Sequence, residues 1–315
     1  MASKKAKRRA GIAGHAKRTY VDPFVIDEPA HFQLRLHKTA QRADLDKDKG
    51  EKIIEANAKR LSELGDRLYA ENRWAVLVIF QGLDAAGKDS AVEHVMSGVN
   101  PQGCDVYSFK QPTSEELDHD FLWRCTRDLP PRGKVGIFNR SYYEEMLVVR
   151  VHPEVLARER VPSKLVTRNI WRERFEDVCA YERYLARNGT VILKFFLHTS
   201  KEEQRRRFLD RLEIPSKRWK FSMGDVAERA LWNRYQAAYQ DVVRHTSTPH
   251  APWHVVPADH KWFARVVIGS TIVAALEKLD PQFPRVDRDS LNEFDQVRKA
   301  LEAEARKGGG KRKPH

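Results

Sequence analysis

Cysteine is scarce and scattered. The 315-residue chain has three, Cys104, Cys125 and Cys179, with no CxxC pair. That excludes a disulfide framework and a zinc site built from cysteine alone. Reduced thiols in a cytoplasmic protein are the expectation. No apolar run approaches the roughly 20 residues that a membrane-spanning helix requires. Residues 1–20 lack the apolar centre of a secretory signal. They are rich in Arg, Lys and Ala and free of acid, as a mitochondrial presequence would be, but they hold few of the hydroxyl residues such a segment carries. No internal repeat is visible, and no low-complexity stretch outside the two ends.

Acidic residues are missing from both ends. Residues 1–18 carry seven Lys/Arg and residues 306–315 carry five, with no Asp or Glu in either. The ends thus hold twelve of the net +13 and leave the body between them at +1. Such segments read as disordered and commonly bind nucleic acid, and any long polyanion would attract them by the same counterion release. Plain solubility is the alternative. The body is ordinary for a globular protein, with 41% hydrophobic and 32% charged residues over the whole chain.

Patterning places the elements. Ile54, Leu61, Leu64 and Leu68 recur at helical spacing within Glu51–Tyr69. Trp74–Phe80 is continuously apolar, as a strand covered on both faces would be. Further strands are expected at Asp105–Phe109, Val135–Phe138, Thr190–Leu197 and Trp253–Val256. Helices are expected between them, about Lys88–Ser97, Ser114–Asp128, Ser141–Val151, Lys164–Arg187, Lys201–Leu212, Val226–His245 and Lys261–Leu279. The alternation predicts an α/β fold with a parallel, doubly wound sheet, whose ligand sits at the carboxyl ends of the strands.

Between the first strand and its helix lies Gly82-Leu-Asp-Ala-Ala-Gly-Lys88, a GxxxxGK phosphate loop. The glycines Gly82 and Gly87, with Ala85 and Ala86, let backbone N–H groups turn toward phosphate oxygens, and Lys88 adds a mobile cation. Asp89 stands where the pattern usually has Ser or Thr, and Ser90 follows it. With Asp84 inside the loop, two carboxylates share a phosphate cradle. That makes chemical sense with a cation present, so magnesium is implied, Asp84 being the better-placed ligand and manganese a substitute.

Further along, SFKQPTSEELDHDFLWR (Ser108–Arg124), FNRSYYEEMLVVRV (Phe138–Val151), EEQRRRFLDRL (Glu202–Leu212), KRWKF (Lys217–Phe221) and PWHVVPADHKW (Pro252–Trp262) join GLDAAGKDS (Gly82–Ser90) and SGVNPQG (Ser97–Gly103). In this order they resemble the polyphosphate kinase 2 family over roughly residues 46–282. The resemblance implies a P-loop kinase-like three-layer fold similar to thymidylate kinase, with a helical lid over about residues 205–225. It also implies magnesium-dependent transfer between polyphosphate and nucleoside mono- or diphosphates (adenine or guanine nucleotides), and a homo-oligomer. Residues 1–45 are expected to be a basic, largely extended segment, with Asp22–Asp46 against a neighbouring copy, and 283–315 a C-terminal tail.

Carried over residue by residue, the resemblance gives Asp84, Lys88, Arg140, Arg207 and Arg211 catalytic roles. Arg207 and Arg211, four apart, share a helix face and would act as arginine fingers. The phosphate- and nucleotide-binding set would be Gly82, Ala85, Ala86, Gly87, Lys88, Asp89, Ser90, Asn139, Glu144, Glu145, Lys217 and Lys220. Many members have Asp where this chain has Asn139; the Asn form resembles the subgroup that accepts both mono- and diphosphates, and leaves Asn139 a weak second metal contact. Glu144 and Glu145 would orient the acceptor or stabilise a helix start. Trp219 and Phe221 would anchor the lid while Lys217 and Lys220 face a polyanion. Lys110 and Arg124 are further phosphate-contact candidates, and Asp118, His119 and Asp120 a solvated helix face. None of the twelve histidines has a context that marks a phosphohistidine, so direct in-line transfer is expected. The rivals are an ATP-dependent nucleoside or nucleotide kinase and, more remotely, a nucleic-acid-binding protein with a vestigial P-loop.

Overall fold

The computed structural model describes residues 19–308. Five parallel strands form one sheet: β1 (Ala75–Gln81), β2 (Cys104–Ser108), β3 (Val135–Asn139), β4 (Thr190–His198) and β5 (Trp253–Pro257), in the order β2-β3-β1-β4-β5. β1 is central and buried along its whole length. Its side chains alternate between the faces, as strand geometry requires. Leu77 and Ile79 join one core with α5 (Glu144–Val151), α7 (Ile170–Arg187) and α10 (Trp232–Thr246). Val76, Val78 and Phe80 join the other with α1 (Lys47–Glu71), α2 (Lys88–Val95) and α11 (Lys261–Leu279). These two layers of helices around a parallel sheet are the three-layer α/β arrangement that the alternation predicts. Among the described residues no helix is long and apolar enough to cross a membrane.

A buried polar knot holds the first layer together. Lys194 Nζ on β4 donates to Glu182 Oε2 of α7 (2.7 Å), to the Tyr143 hydroxyl (2.8 Å) and to the Thr246 carbonyl of α10 (2.7 Å). The Tyr142 and Tyr143 hydroxyls donate to Glu182 Oε1 at 2.9 and 2.8 Å. Neither Lys194 nor Glu182 is exposed at all.

Several expectations are corrected. Residues 19–45 are three 3-10 turns (Asp22–Phe24, Pro29–His31 and Leu34–Leu36) docked on the body, not an extended lead-in. Ile26 N donates to the Trp253 carbonyl at 2.9 Å, Phe24 packs edge-on to Phe263, and Phe32 and Leu34 are buried. Burial of these apolar side chains against the chain's own core is the reason. The Ser114–Asp128 helix is two pieces, α3 (Ser114–Leu117) and α4 (Trp123–Arg127). Between them Asp120 Oδ1 accepts from Leu122 N, a local bond that competes with the helical ladder. The Val226–His245 helix breaks at Leu231 into α9 (Met223–Ala230) and α10. From Gln282 the chain forms a separate unit whose described part, to residue 308, contains a helix, α12 (Arg288–Gly308), where only a tail was expected. Residues 1–18 and 309–315, which carry most of the basic ends, lie outside the described residues.

Candidate active site

The carboxyl ends of β1 and β3 carry the site. After β1 the chain turns through the loop Gly82–Gly87 into α2. Gly87, the residue before that helix, has φ +102°, which a side chain would strain, and Ala85 is also left-handed at +62°. After β3, Arg140 adopts φ +65°, an uncommon conformation for a non-glycine residue that is held by the bond from Arg140 N to the Phe80 carbonyl (3.0 Å). This turn aims the guanidinium back across the loop. Its Nη2 donates to Asp84 Oδ1 (2.8 Å) and its Nη1 to Glu144 Oε2 (3.0 Å).

Lys88 is buried at 8% exposure and donates to the Gly82 carbonyl at 2.6 Å and the Leu83 carbonyl at 3.3 Å. Burial, and then the neighbouring Arg140 charge, lower its pKa to about 8 against the pull of Asp84, Glu144 and Asp89. Asp89 Oδ1 accepts from Asn139 Nδ2 at 2.6 Å, which leaves Asn139 Oδ1 buried without a partner. Ser90 Oγ accepts from Arg265 Nη2 at 2.7 Å.

These groups line a cavity of about 510 Å³. Its walls include Asp84, Ala85, Gly87, Lys88, Asp89 and Ser90 from the loop, Lys110 and Gln111 after β2, and Asn139 and Arg140 after β3. Across from them stand Arg211 of α8 (Lys201–Glu213), then Lys217 and Lys220 of the 3-10 turn Pro215–Lys220. Lys261, the first residue of α11, closes the remaining side. Sequence reasoning assigned Lys261 no role; a cation at a strand's carboxyl end in a doubly wound sheet was the signal for it.

Arg207 also borders this cavity, but it is not free to act as a finger. Its Nη1 donates to the carbonyls of Ala85 (3.0 Å) and Ala86 (2.8 Å), and its Nη2 to those of Ala258 (2.5 Å) and Asp259 (3.1 Å). Nε donates to Glu203 Oε1 at 2.7 Å. All five guanidinium N–H groups are spent, and the side chain is 4% exposed. Arg207 therefore clamps the phosphate loop to α8 and to the turn after β5. Arg207→Lys keeps the charge but offers only three donors to five acceptors, leaving at least two of them unpaired at about 1–3 kcal/mol each. We expect the melting midpoint to fall by roughly 5–10 °C in differential scanning calorimetry. An unchanged midpoint with lost activity would return Arg207 to a finger role.

Other assignments divide in the same way. Glu144 lines a smaller pocket behind Arg140 and reaches the site only by accepting from that guanidinium, whereas Glu145, the next residue on α5, points to another cavity, buried against Arg174 Nη1 at 2.5 Å. Adjacent helical residues lie about 100° apart, so the two cannot act as one acidic pair. Arg124 donates to the Lys110 carbonyl (2.8 Å) and rests on Phe109, supporting that loop. Trp219 is 78% exposed and so anchors nothing, while Lys220 rests over its ring. Arg211 Nη1 is held by Asp225 at 2.8 Å. Asp118 pairs with Arg160 at the surface, and His119 stacks on Trp123.

Comparison with known proteins agrees with this architecture. The family model described as polyphosphate kinase 2 matches residues 44–284. An ADP-polyphosphate phosphotransferase of Rhodopseudomonas palustris is 49% identical over 250 residues, 79% of this chain and 86% of that one. An AMP/ADP-polyphosphate phosphotransferase of Meiothermus ruber is 46% identical over 232 residues, 74% and 83% of the two chains. The crystal structure of polyphosphate kinase 2 from Arthrobacter aurescens superposes with a TM-score of 0.81 at 37% identity, covering 88% of this chain and 95% of that one. With the phosphate loop, the basic cavity beside it and these likenesses in one chain, it belongs to the polyphosphate kinase 2 family of phosphotransferases.

Proposed function

We propose that this enzyme transfers phosphoryl groups directly and reversibly between inorganic polyphosphate and nucleotides, taking both AMP and ADP as acceptors. The observation that carries the reading is the charge of the cavity: eight cationic side chains line it against three carboxylates, Asp84, Asp89 and Asp210. A chain of phosphates needs that excess along its length, whereas an ATP-dependent kinase would gain little from Lys217, Lys220 and Lys261 beyond the loop. No histidine lines the cavity, which supports transfer without a phosphohistidine. The Meiothermus ruber relative, named for both AMP and ADP, supports the broader acceptor range, as does Asn139. We place the reaction in the cytoplasm.

Each residue has a physical task. Loop N–H groups and the start of α2 would hold the phosphate being transferred, with Lys88 turning from the Gly82 carbonyl to one of its oxygens. Arg140, neutralised by Asp84 and Glu144, is a guanidinium held ready. With Asp84 engaged by a cation, Nη2 would be free to donate to phosphate oxygens. Arg211, Lys217 and Lys220 would close over the donor from the lid side and keep water from competing.

The donor set fits magnesium. Asp84 and Asp89 supply hard anionic oxygens, and the orphaned Asn139 Oδ1 supplies a neutral one. The described residues contain no cluster of three or more His, Cys, Asp or Glu that could hold a metal alone, as suits an ion shared with substrate phosphates. Bound magnesium would neutralise phosphate charge between donor and acceptor. Purified chain given long-chain polyphosphate, magnesium and either ADP or AMP should form ATP, and EDTA should stop it. ATP acting as the sole donor, with polyphosphate inert, would sink this reading and leave an ATP-dependent kinase.

A further inference from the structure

Asp259, in the turn between β5 and α11, joins three segments that are distant in sequence. Its Oδ1 accepts from Ser200 N at 2.8 Å, at the start of α8, and its Oδ2 accepts from the Thr39 hydroxyl at 2.7 Å. Its own N–H donates to the Thr39 carbonyl at 3.1 Å, and its carbonyl accepts from Arg207 Nη2 at 3.1 Å. Thr39 belongs to the docked N-terminal segment and lies outside the stretch that matches the family model, residues 44–284. Neither Thr39 nor Asp259 lines the cavity.

What Asp259 holds is the part of α8 that shapes the phosphate loop. Ser200 caps α8 by accepting from Glu203 N at 3.1 Å, and Glu203 Oε1 accepts from Arg207 Nε at 2.7 Å. One turn of that helix then pins three consecutive loop carbonyls. Gln204 Nε2 donates to the Asp84 carbonyl at 3.0 Å, and Arg207 Nη1 to those of Ala85 and Ala86. A peptide unit is planar and trans, so a carbonyl fixed on one side sends the following N–H to the other. The Ala86 N–H is taken by the Leu83 carbonyl at 3.0 Å. Those of Ala85 and Gly87 are turned away from the α8 side chains, and both residues border the cavity. Preorganised donors of this kind act on transition-state charge, and small displacements of them are costly.

We propose that Asp259 is a positioning residue for phosphoryl transfer: braced by the Thr39 hydroxyl, its carboxylate sets α8 against the phosphate loop and so aims the loop's N–H groups. The N-terminal segment thereby takes part in catalysis without touching substrate. This rests on the reading of Gly82–Lys88 as the phosphate cradle. ATP formation from ADP and long-chain polyphosphate, followed well below each variant's melting midpoint, tests it. Thr39→Val keeps the side chain's shape and the backbone bond but removes the hydroxyl. It should lower kcat about tenfold and leave KM for polyphosphate and ADP unchanged, because the aim of the loop acts on the transition state. Thr39→Ser, which retains the hydroxyl, should recover most of the kcat. Asp259→Ala should cost more, and Thr39→Val added to it nothing further, since Thr39 acts through Asp259 alone. A wild-type kcat in Thr39→Val, a loss confined to KM or to the melting midpoint, or additive losses in the double variant would overturn the proposal. Lys88→Met separates this from the cradle reading. Full activity in that variant removes the cradle itself, whereas its inactivity beside an unaffected Thr39→Val removes only the role of Asp259.

Discussion

Lys88→Met is expected to lower kcat/KM for phosphoryl transfer by about a thousandfold while raising the melting midpoint of the substrate-free chain. Loss of a single preorganised donor to developing phosphoryl charge in a water-poor site costs about 10²–10³ in rate, and a full cation more. A thousandfold is about 4 kcal/mol of transition-state stabilisation. The opposite sign for stability follows from burial. The folded state lowers the lysine pKa from 10.5 to about 8, so at pH 7 it holds a charge that it disfavours. The cost is on the order of 3 kcal/mol, which methionine, of similar length and uncharged, removes; the Gly82 carbonyl left without its donor returns about 1–3 kcal/mol of that, so the expected rise is small. Steady-state kinetics and calorimetry on one preparation read both effects. A variant that loses both activity and stability would mean that Lys88 holds the loop together rather than serving the substrate.

The second large effect lies far from the chemistry. Lys194→Met should destabilise the fold by about 3–5 kcal/mol, because it leaves the Glu182 carboxylate fully buried without its countercharge. For a domain of this size that is a fall of roughly 10 °C in melting midpoint. Glu182→Gln, added to it, should recover part of the loss by removing the stranded charge, while the amide oxygen still accepts from Tyr142 and Tyr143. Activity at low temperature should be nearly unchanged, since neither residue lines the cavity. Two single changes that cost as much apart as the double costs would show that pairing contributes nothing.

How much of this was legible beforehand follows from what periodicity and spacing encode. The five strands and the phosphate loop were readable because buried parallel strands are continuously apolar and because glycines are fixed where the backbone turns left-handed. That Asp84 and Asp89 would both border the phosphate-loop cavity was readable from their places in the loop motif. The roles of Arg207 and Arg211 were not separable, because four-residue spacing gives a shared face and says nothing about which guanidinium is already saturated by carbonyls 51 to 122 residues away. Glu144 and Glu145 failed as a pair for the opposite reason: neighbours in sequence are divergent on a helix. The short breaks at Asp120 and Leu231 come from local bonding and packing, to which a helical average is blind. Trp219 was misread as an anchor because aromatics are usually buried, and a lid tip is an exception.

The Arg207 clamp has a mechanical consequence. Four bonds weld the first half of α8 to the phosphate loop and to the turn after β5, while Arg211, one turn later, is held by Asp225 and the Lys220 carbonyl. A lid formed by the segment after Arg211, as proposed above, would therefore be a lever with its fulcrum inside α8, between Arg207 and Arg211. A lever on a fixed pivot has one principal degree of freedom. Lys217 and Lys220 would sweep a short arc toward the loop, and donors of different length would be met by the same stroke.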